Sequence, residues 1–241
     1  MLLLLILELG IILLYLILGW AILKKKAYWL LSGFNSRPKE EQLQLIDNGY
    51  PQRTGKLMIA TSAGMCLLLP LCFSSFKYTI EVQFGFMIVF LLAGFIYLSK
   101  YEVPKKRKRS YIISTSLFIV VMGFIGYIMY LGYQDYQLVM KKDAFEITGV
   151  YGEEWSYQDV KRIDLLDDMP EVTFRQNGFG LTTMSKGKFK VKDYGSSLLF
   201  IRKNDAPYLY IETNKKKIFI NGKTPEQTKQ WYNELKAKSG G

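Results

Sequence analysis

Residues 101–111, YEVPKKRKRSY, set five consecutive basic residues (Lys105, Lys106, Arg107, Lys108 and Arg109) between two long uncharged runs. Taken alone, such a cluster reads as a nuclear-localisation signal or a nucleic-acid patch. Its flanks decide otherwise. Residues 82–99 and 110–134 carry no charge, and a bilayer is crossed by about 20 apolar helical residues. A short hairpin pinned between two spans cannot present itself to an import receptor, and short Lys/Arg-rich loops stay on the cytoplasmic side. The run is a topology signal, and the first half of the chain is membrane-embedded.

Two more spans follow from the same criterion. Residues 57–76 are uncharged, and residues 1–23 contain only Glu8. The N-terminal run has no basic n-region and no small-residue cleavage site, which favours a first membrane helix over a removable signal. Four transmembrane helices are therefore expected within residues 1–133, with cytoplasmic loops at 24–56 and 100–109. Lys24, Lys25 and Lys26 open the first basic segment, and Arg37, Lys39, Arg53 and Lys56 continue it. Placing both basic segments inside puts the N-terminus and everything after residue 133 on the non-cytoplasmic side of a bacterial cell (inner) membrane. The basic cluster also touches anionic headgroups, at ~1 kcal/mol per charge. Residues 1–133 hold 14 Lys/Arg against 6 Asp/Glu, and residues 134–241 hold 18 against 15. Most of the net charge of +11 thus belongs to the apolar half. That pattern speaks for a membrane partner and against nucleic acid.

The chain has no histidine, which removes the commonest general base and every His-containing metal site or triad. Cys66 and Cys72 lie six residues apart in one apolar run, on different faces of a helix, and read as packing residues. No metal site and no cofactor are expected. Glu8, an ionisable group at membrane depth, is a functional candidate by default. No basic residue in the other spans pairs with it, and no span shows a ladder of polar residues, so transport is the lesser reading.

Between the first two spans, Pro38 followed by Glu40 and Glu41 reads as the start of a short interfacial helix, with Tyr28 and Trp29 as headgroup anchors. The segment WLLSGFNSRPKEEQ (29–42) resembles a bacterial family of small membrane proteins, DUF3784. Trp29, Leu30, Leu31, Gly33, Phe34, Asn35, Lys39, Glu40 and Glu41 occupy the family's places. The likeness covers about residues 1–100 and implies a prokaryotic membrane protein with three spans in that stretch.

From Tyr136 the pattern changes to period two. YQLVMK, FEITG, EWSY, VKRIDLL, EVTFR, GKFKVK, LLFIRK, YLYIET and KKIFIN read as short strands bounded by turn residues. The last element, TPEQTKQWYNELKAK, reads as an amphipathic helix. Thr224 is its N-cap, Pro225 its first residue and Gln227 the partner in a capping box, with Trp231 and Leu235 on the apolar stripe. Many short strands closed by one helix suggest a small all-β barrel plugged by that helix, over residues 134–241. The order resembles the pleckstrin-homology (PH) superfold, and more narrowly the bacterial PH-like domains, over about residues 136–238. RQNGFGLTTMSKGKF carries the likeness, through Arg175, Asn177, Gly178, Phe179, Gly180, Gly187 and Phe189. A domain of the sublancin-type bacteriocin immunity proteins is similar too, on a simpler membrane anchor.

NGFG could cradle a phosphate, but it lacks the P-loop Lys-Ser/Thr. A tight loop with positive φ at Gly178 and Gly180, and Phe179 packing, is the better reading. The acidic pairs Glu153-Glu154 and Asp167-Asp168 read as solvated charge. In SKGKFKVKDY, Lys186, Lys188, Lys190 and Lys192 alternate with Gly187, Phe189 and Val191, so four ammonium groups share one face of a strand. Lys215, Lys216 and Lys217 add a cluster at an expected hairpin. These lysines form a candidate surface for an anionic lipid, a peptide or an envelope protein, or else a solvated strand edge. The expectation is a non-enzymatic membrane protein that displays a PH-like binding domain for sensing, scaffolding or an immunity-like role. The alternative is a transport- or channel-associated subunit in which the PH-like domain is regulatory.

Overall fold

The computed structural model describes residues 2–240. The chain divides into two compact units, Met1–Phe124 and Ile125–Gly241.

The first unit is helical: α1 (Leu2–Lys24), α2 (Lys39–Asp47), α3 (Tyr50–Leu68), α4 (Thr79–Leu98) and the first two-thirds of α5 (Pro104–Tyr133). Four helical stretches are long and apolar enough to cross a membrane: Leu5–Lys24, Tyr50–Phe73, Thr79–Tyr101 and Pro104–Tyr133. The protein is a multi-pass membrane protein. Three spans start earlier than their apolar runs, α4 (from Thr79) by the least. Helix α3 begins at Tyr50 with Pro51 in its first turn, and α5 begins at Pro104. Lys and Arg are good helix formers, so Lys105–Arg109 extend α5 as its first turns instead of forming a loop.

Helices α1 and α3 pack closely because two glycines meet. A Cβ on Gly19 would lie 2.9 Å from the Gly55 carbonyl, and one on Gly55 would lie 3.2 Å from the Gly19 carbonyl. Small residues that let backbones approach are a usual device of membrane helix pairs. The large apolar side chains left exposed, such as Leu13, Ile17, Val120 and Phe124, are what a helix offers to hydrocarbon.

The segment between the first two spans packs on a core of its own, made by Ile22, Leu31, Phe34, Leu45 and Val103. Gly33 has φ of 70°, in the left-handed region where a glycine carries no steric cost, and it turns the chain between Leu31 and Phe34. Arg37 then makes a bidentate ion pair to Glu102, at 2.6 and 2.9 Å. The Glu102 carboxylate is buried and also accepts from the Val103 amide at 2.9 Å.

The second unit contains a three-stranded sheet, β1 (Leu138–Met140), β2 (Ala144–Ile147) and β3 (Glu154–Ser156). A six-stranded sheet has the order β4-β8-β9-β7-β6-β5, from β4 (Val160–Leu166), β5 (Val172–Gly180), β6 (Met184–Val191), β7 (Gly195–Arg202), β8 (Tyr208–Thr213) and β9 (Lys217–Ile220). Helix α6 (Pro225–Lys238) ends the chain. All neighbours are antiparallel except β7 and β9.

Both faces of the inner strands β7, β8 and β9 are buried, which is why SSLLFIR and YLYIET read as nearly continuous apolar runs. Leu198, Phe200, Leu209, Ile211, Ile218 and Ile220 point into a core closed by Phe145 and Trp155 of the small sheet and by Trp231 and Leu235 of α6. Residues of opposite parity, Phe189, Val191, Leu199, Ile201, Tyr208, Tyr210 and Phe219, form a second core on the other face. Helix α6 is capped as its sequence indicates. The Thr224 hydroxyl accepts from the Gln227 amide at 3.2 Å, while the Gln227 side chain reaches one residue past the cap, to the Lys223 amide at 2.7 Å.

The barrel expectation is corrected. The region has the PH-like order of strands ending in one helix, and its two packed sheets fit a PH-like sandwich, but they do not close into a barrel. Strands β4 and β5 are consecutive yet lie on opposite edges. Six flat strands span about 24 Å, whereas the short link between Leu166 and Val172 reaches only about 20 Å. The sheet therefore curls around the second core without pairing its edges.

At the crossing of β5 and β6, Gly178 faces Gly187 in register, with φ of 147° and 118°. A Cβ on Gly178 would sit 2.2 Å from the Lys186 carbonyl, and one on Gly187 would sit 2.5 Å from that of Asn177. Only two glycines allow this approach. Gly187→Ala should therefore cost more than about 2 kcal/mol, lowering the unfolding midpoint of the second unit by roughly 8–16 °C. Gly195→Ala has positive φ but open space around it and should cost only about 1 kcal/mol. Thermal unfolding of the full chain in detergent measures both; equal shifts would contradict the close-crossing account.

Candidate functional site

The motif residues converge on the β5–β6 hairpin, with two different outcomes at its two ends. NGFG is not a loop, as its glycines led us to expect, but the end of strand β5. Positive φ occurs at Gly178 and not at Gly180. Phe179 is half-buried, edge-on to Tyr151 with ring centroids 6.1 Å apart. It also stands near the last turn of α5, where a Cβ on Gly132 would lie 3.2 Å from its ring and 2.9 Å from Leu181.

Lys186 departs from the lysine-stripe expectation. It is 1% exposed, and its ammonium donates to the Gln134 carbonyl just past the end of α5. Strand alternation does put it on the same side as Lys188, but the end of α5 covers that side. A cation at a helix C-terminus satisfies a free carbonyl and meets the negative end of the dipole. Burial pulls the Lys186 pKa below the usual lysine value, with the Asp135 charge acting in the other direction. Asp135 itself pairs with Arg202 and with Lys223, the latter at 2.7 Å. These partners, Lys223 first, hold its carboxyl below the ordinary carboxylate range.

Lys188, Lys190 and Lys192 are exposed, Lys192 lying 3.4 Å from Glu171. Lys215 is exposed at the turn between β8 and β9, and Lys216 and Lys217 are half-buried. Lys216 pairs with Glu153 and shares a small pocket with Lys188, Tyr151 and Asn177. Glu154 pairs with Lys141 at 2.5 Å, so the first acidic pair is divided between two lysines. Among the described residues no group of three or more His, Cys, Asp or Glu is placed to hold a metal ion.

A cavity of about 630 Å³ opens where the curled sheet fails to close. Phe189, Ile201 and Tyr208 supply its apolar floor, and Arg175, Ser185 and Lys203 its polar wall. Three motif residues, Arg175, Gly180 and Phe189, thus line one pocket. Arg175 is exposed and has no ion-pair partner among the described residues, and Lys203 donates to the Leu181 carbonyl at 2.7 Å. Burial pushes the Tyr208 phenol up. Ser185, Lys203, Asn204 and Tyr208 escaped the sequence reading. They come from β6, β8 and the turn ahead of β8, and only the fold brings them to the motif.

A polar cluster in the membrane helices also escaped it. Glu8 of α1 is 1% exposed, buried between helices. The Cys72 thiol donates to its Oε2 at 3.1 Å, and the Gln83 amide nitrogen of α4 lies 3.4 Å from that sulfur. Glu8 Oε1 has no hydrogen-bond partner among the described residues. Cys72 is therefore more than a packing residue. Cys66 faces outward.

Of the family residues in the first unit, Glu41 binds Lys106 at 2.7 Å and approaches Arg37 at 3.8 Å. Asn35 and Glu40 are exposed, as are the topology residues Lys24, Lys25, Lys26, Lys105, Arg107, Lys108 and Arg109.

These placements agree with comparisons to known families. Residues 9–102 match the model described as a domain of unknown function, DUF3784. Residues 136–238 match that described as a bacterial PH domain. The chain is similar to these two families over those stretches, as residues 29–42 and 175–189 lead one to expect. No curated protein and no solved structure matches it.

Amine labelling checks the corrected lysine surface. Lys188, Lys190, Lys192 and Lys215 should react with an N-hydroxysuccinimide ester at ordinary rates, and Lys186 at least about tenfold more slowly, in keeping with its burial. Peptide mass spectrometry resolves the sites, and comparable labelling of Lys186 would refute its burial.

Proposed function

We propose that this protein is a non-enzymatic component of the bacterial cell membrane. Its helices hold a PH-like module on the non-cytoplasmic side, where the module binds a partner by an acidic group set beside an apolar one. The observation that carries this reading is the 630 Å³ pocket, in which the unpaired cation of Arg175 stands over the apolar floor of Phe189, Ile201 and Tyr208. Concave, largely apolar sites with a few polar groups are where ligands bind, and Arg suits carboxylates and phosphates. A protein or peptide of the envelope fits best, because floor and wall together match a side chain next to a carboxylate. The exposed Lys188, Lys190 and Lys192 would steer such a partner. Sensing, scaffolding and immunity-like interception all use this arrangement.

Photo-crosslinking in cells tests the reading. Phe174, 63% exposed on β5, is replaced by a benzophenone amino acid. A discrete adduct is expected, lost with Arg175→Glu and reduced with Lys188→Glu/Lys190→Glu, but retained with Lys236→Glu on α6. No adduct, or one indifferent to Arg175→Glu, would reject the pocket as the binding site.

One observation favours a second reading, a transport- or channel-associated subunit with a regulatory PH-like module. It is the buried Glu8–Cys72–Gln83 cluster, since intramembrane carboxylates commonly mark ion or proton paths. Glu8→Gln discriminates: it leaves the crosslink unchanged under the first reading. Under the second, it abolishes a proton leak measured with a pH-sensitive dye in proteoliposomes.

A further inference from the structure

At the basic end of the membrane helices lies a second cavity, of about 410 Å³. Its lining changes character with depth. The mouth holds Arg37, Glu102, Lys106 and Arg109, and the interior holds Phe95, Ile113 and Leu117. Two rows of α5 at four-residue spacing build one wall. Arg109, Ile113 and Leu117 form the first row, which descends about 12 Å over eight residues. Lys106, Ser110 and Ser114 form the second. Ser110 and Ser114 are tied to the Ser99 hydroxyl at 2.9 and 3.1 Å, so this wall is fixed against the end of α4. Ile113 and Leu117 remain about half exposed, at 55% and 46%, and the slot is open sideways to hydrocarbon.

The charges at the mouth do not cancel. Arg37 is committed to Glu102, and Lys106 to Glu41. Among the described residues Arg109 has no ion-pair partner. One cation is thus left over at headgroup height, directly above an apolar slot. We infer that this cavity is a binding site for one anionic glycerophospholipid, its phosphodiester at Arg109 and Ser110 and an acyl chain along Ile113 and Leu117. A zwitterionic lipid brings its own cation and leaves Arg109 unmatched, whereas a monoanionic one neutralises it. This goes beyond diffuse attraction of the basic run to a charged surface, which would treat all five of its residues alike.

The test uses the full chain purified in a neutral detergent, with native mass spectrometry counting bound lipid. Dioleoyl phosphatidylglycerol should bind at least about fivefold more tightly than dioleoyl phosphatidylcholine, the effect of one matched charge. Arg109→Gln should remove that preference and Arg109→Lys keep it. Lys108→Gln, an equal loss of charge outside the pocket, should leave it intact. Leu117→Trp, which fills the slot, should weaken both lipids, and glycerol 3-phosphate without chains should not bind at the same concentration. Equal affinity for the two lipids, equal losses in Arg109→Gln and Lys108→Gln, or binding by glycerol 3-phosphate alone would each overturn the proposal.

Discussion

The ammonium group of Lys186, buried under the end of α5 and bonded to the Gln134 carbonyl, is the contact on which the second unit depends. A lysine excluded from water is costly unless it is hydrogen-bonded, so this donor fixes where β6 runs relative to the end of the helix. Around it the chain leaves α5 through Asp135, held by Arg202 and Lys223, and Tyr136, whose hydroxyl donates to Asn221 at 3.2 Å. Next to Lys186, Gly187 lets β5 cross closely, and the crossing brings Arg175 of the polar wall and Phe189 of the apolar floor into the same pocket. One buried cation thus links helix end, hairpin and candidate site.

In the first unit the comparable constraint is the Arg37–Glu102 pair. A buried carboxylate must have its partner, and removing one member of such a pair typically costs several kcal/mol. The pair ties the segment after the first span to the turn ahead of α5. It also gives physical meaning to a motif that the sequence displays without explaining. Gly33 turns the chain, Leu31 and Phe34 fill a small core, and Glu41 occupies Lys106. With Lys106 and Arg37 engaged, Arg109 is left without an ion-pair partner among the described residues.

Much of this architecture is legible from local pattern. The uncharged runs locate four spans, and short β-rich runs bounded by turn residues, alternating or continuously apolar, locate the nine strands among the described residues. Thr224 with Pro225 marks the start of α6. What alternation cannot report is what covers a face. Lys186 and Lys188 do share a side of β6, yet one is buried and the other exposed, because the end of α5 returns over the first. The parallel pairing of β7 with β9 and the separation of β4 from β5 are long-range choices with no local signature. The same holds for the candidate sites. Arg175 and Phe189 stand out in the hairpin, but Lys203 and Tyr208 reach them only through sheet curl. Glu8 is conspicuous in an apolar run, whereas Cys72 and Gln83 become its neighbours only when three helices pack.

The binding role and the non-cytoplasmic side of the PH-like module are proposals, and the side is directly measurable. A single cysteine placed after Lys238, with Cys66 and Cys72 replaced, is challenged with an impermeant thiol reagent on intact cells, after permeabilising any outer membrane. Labelling before lysis is the result the account predicts. Protection that disappears on lysis would place the module in the cytoplasm and contradict it.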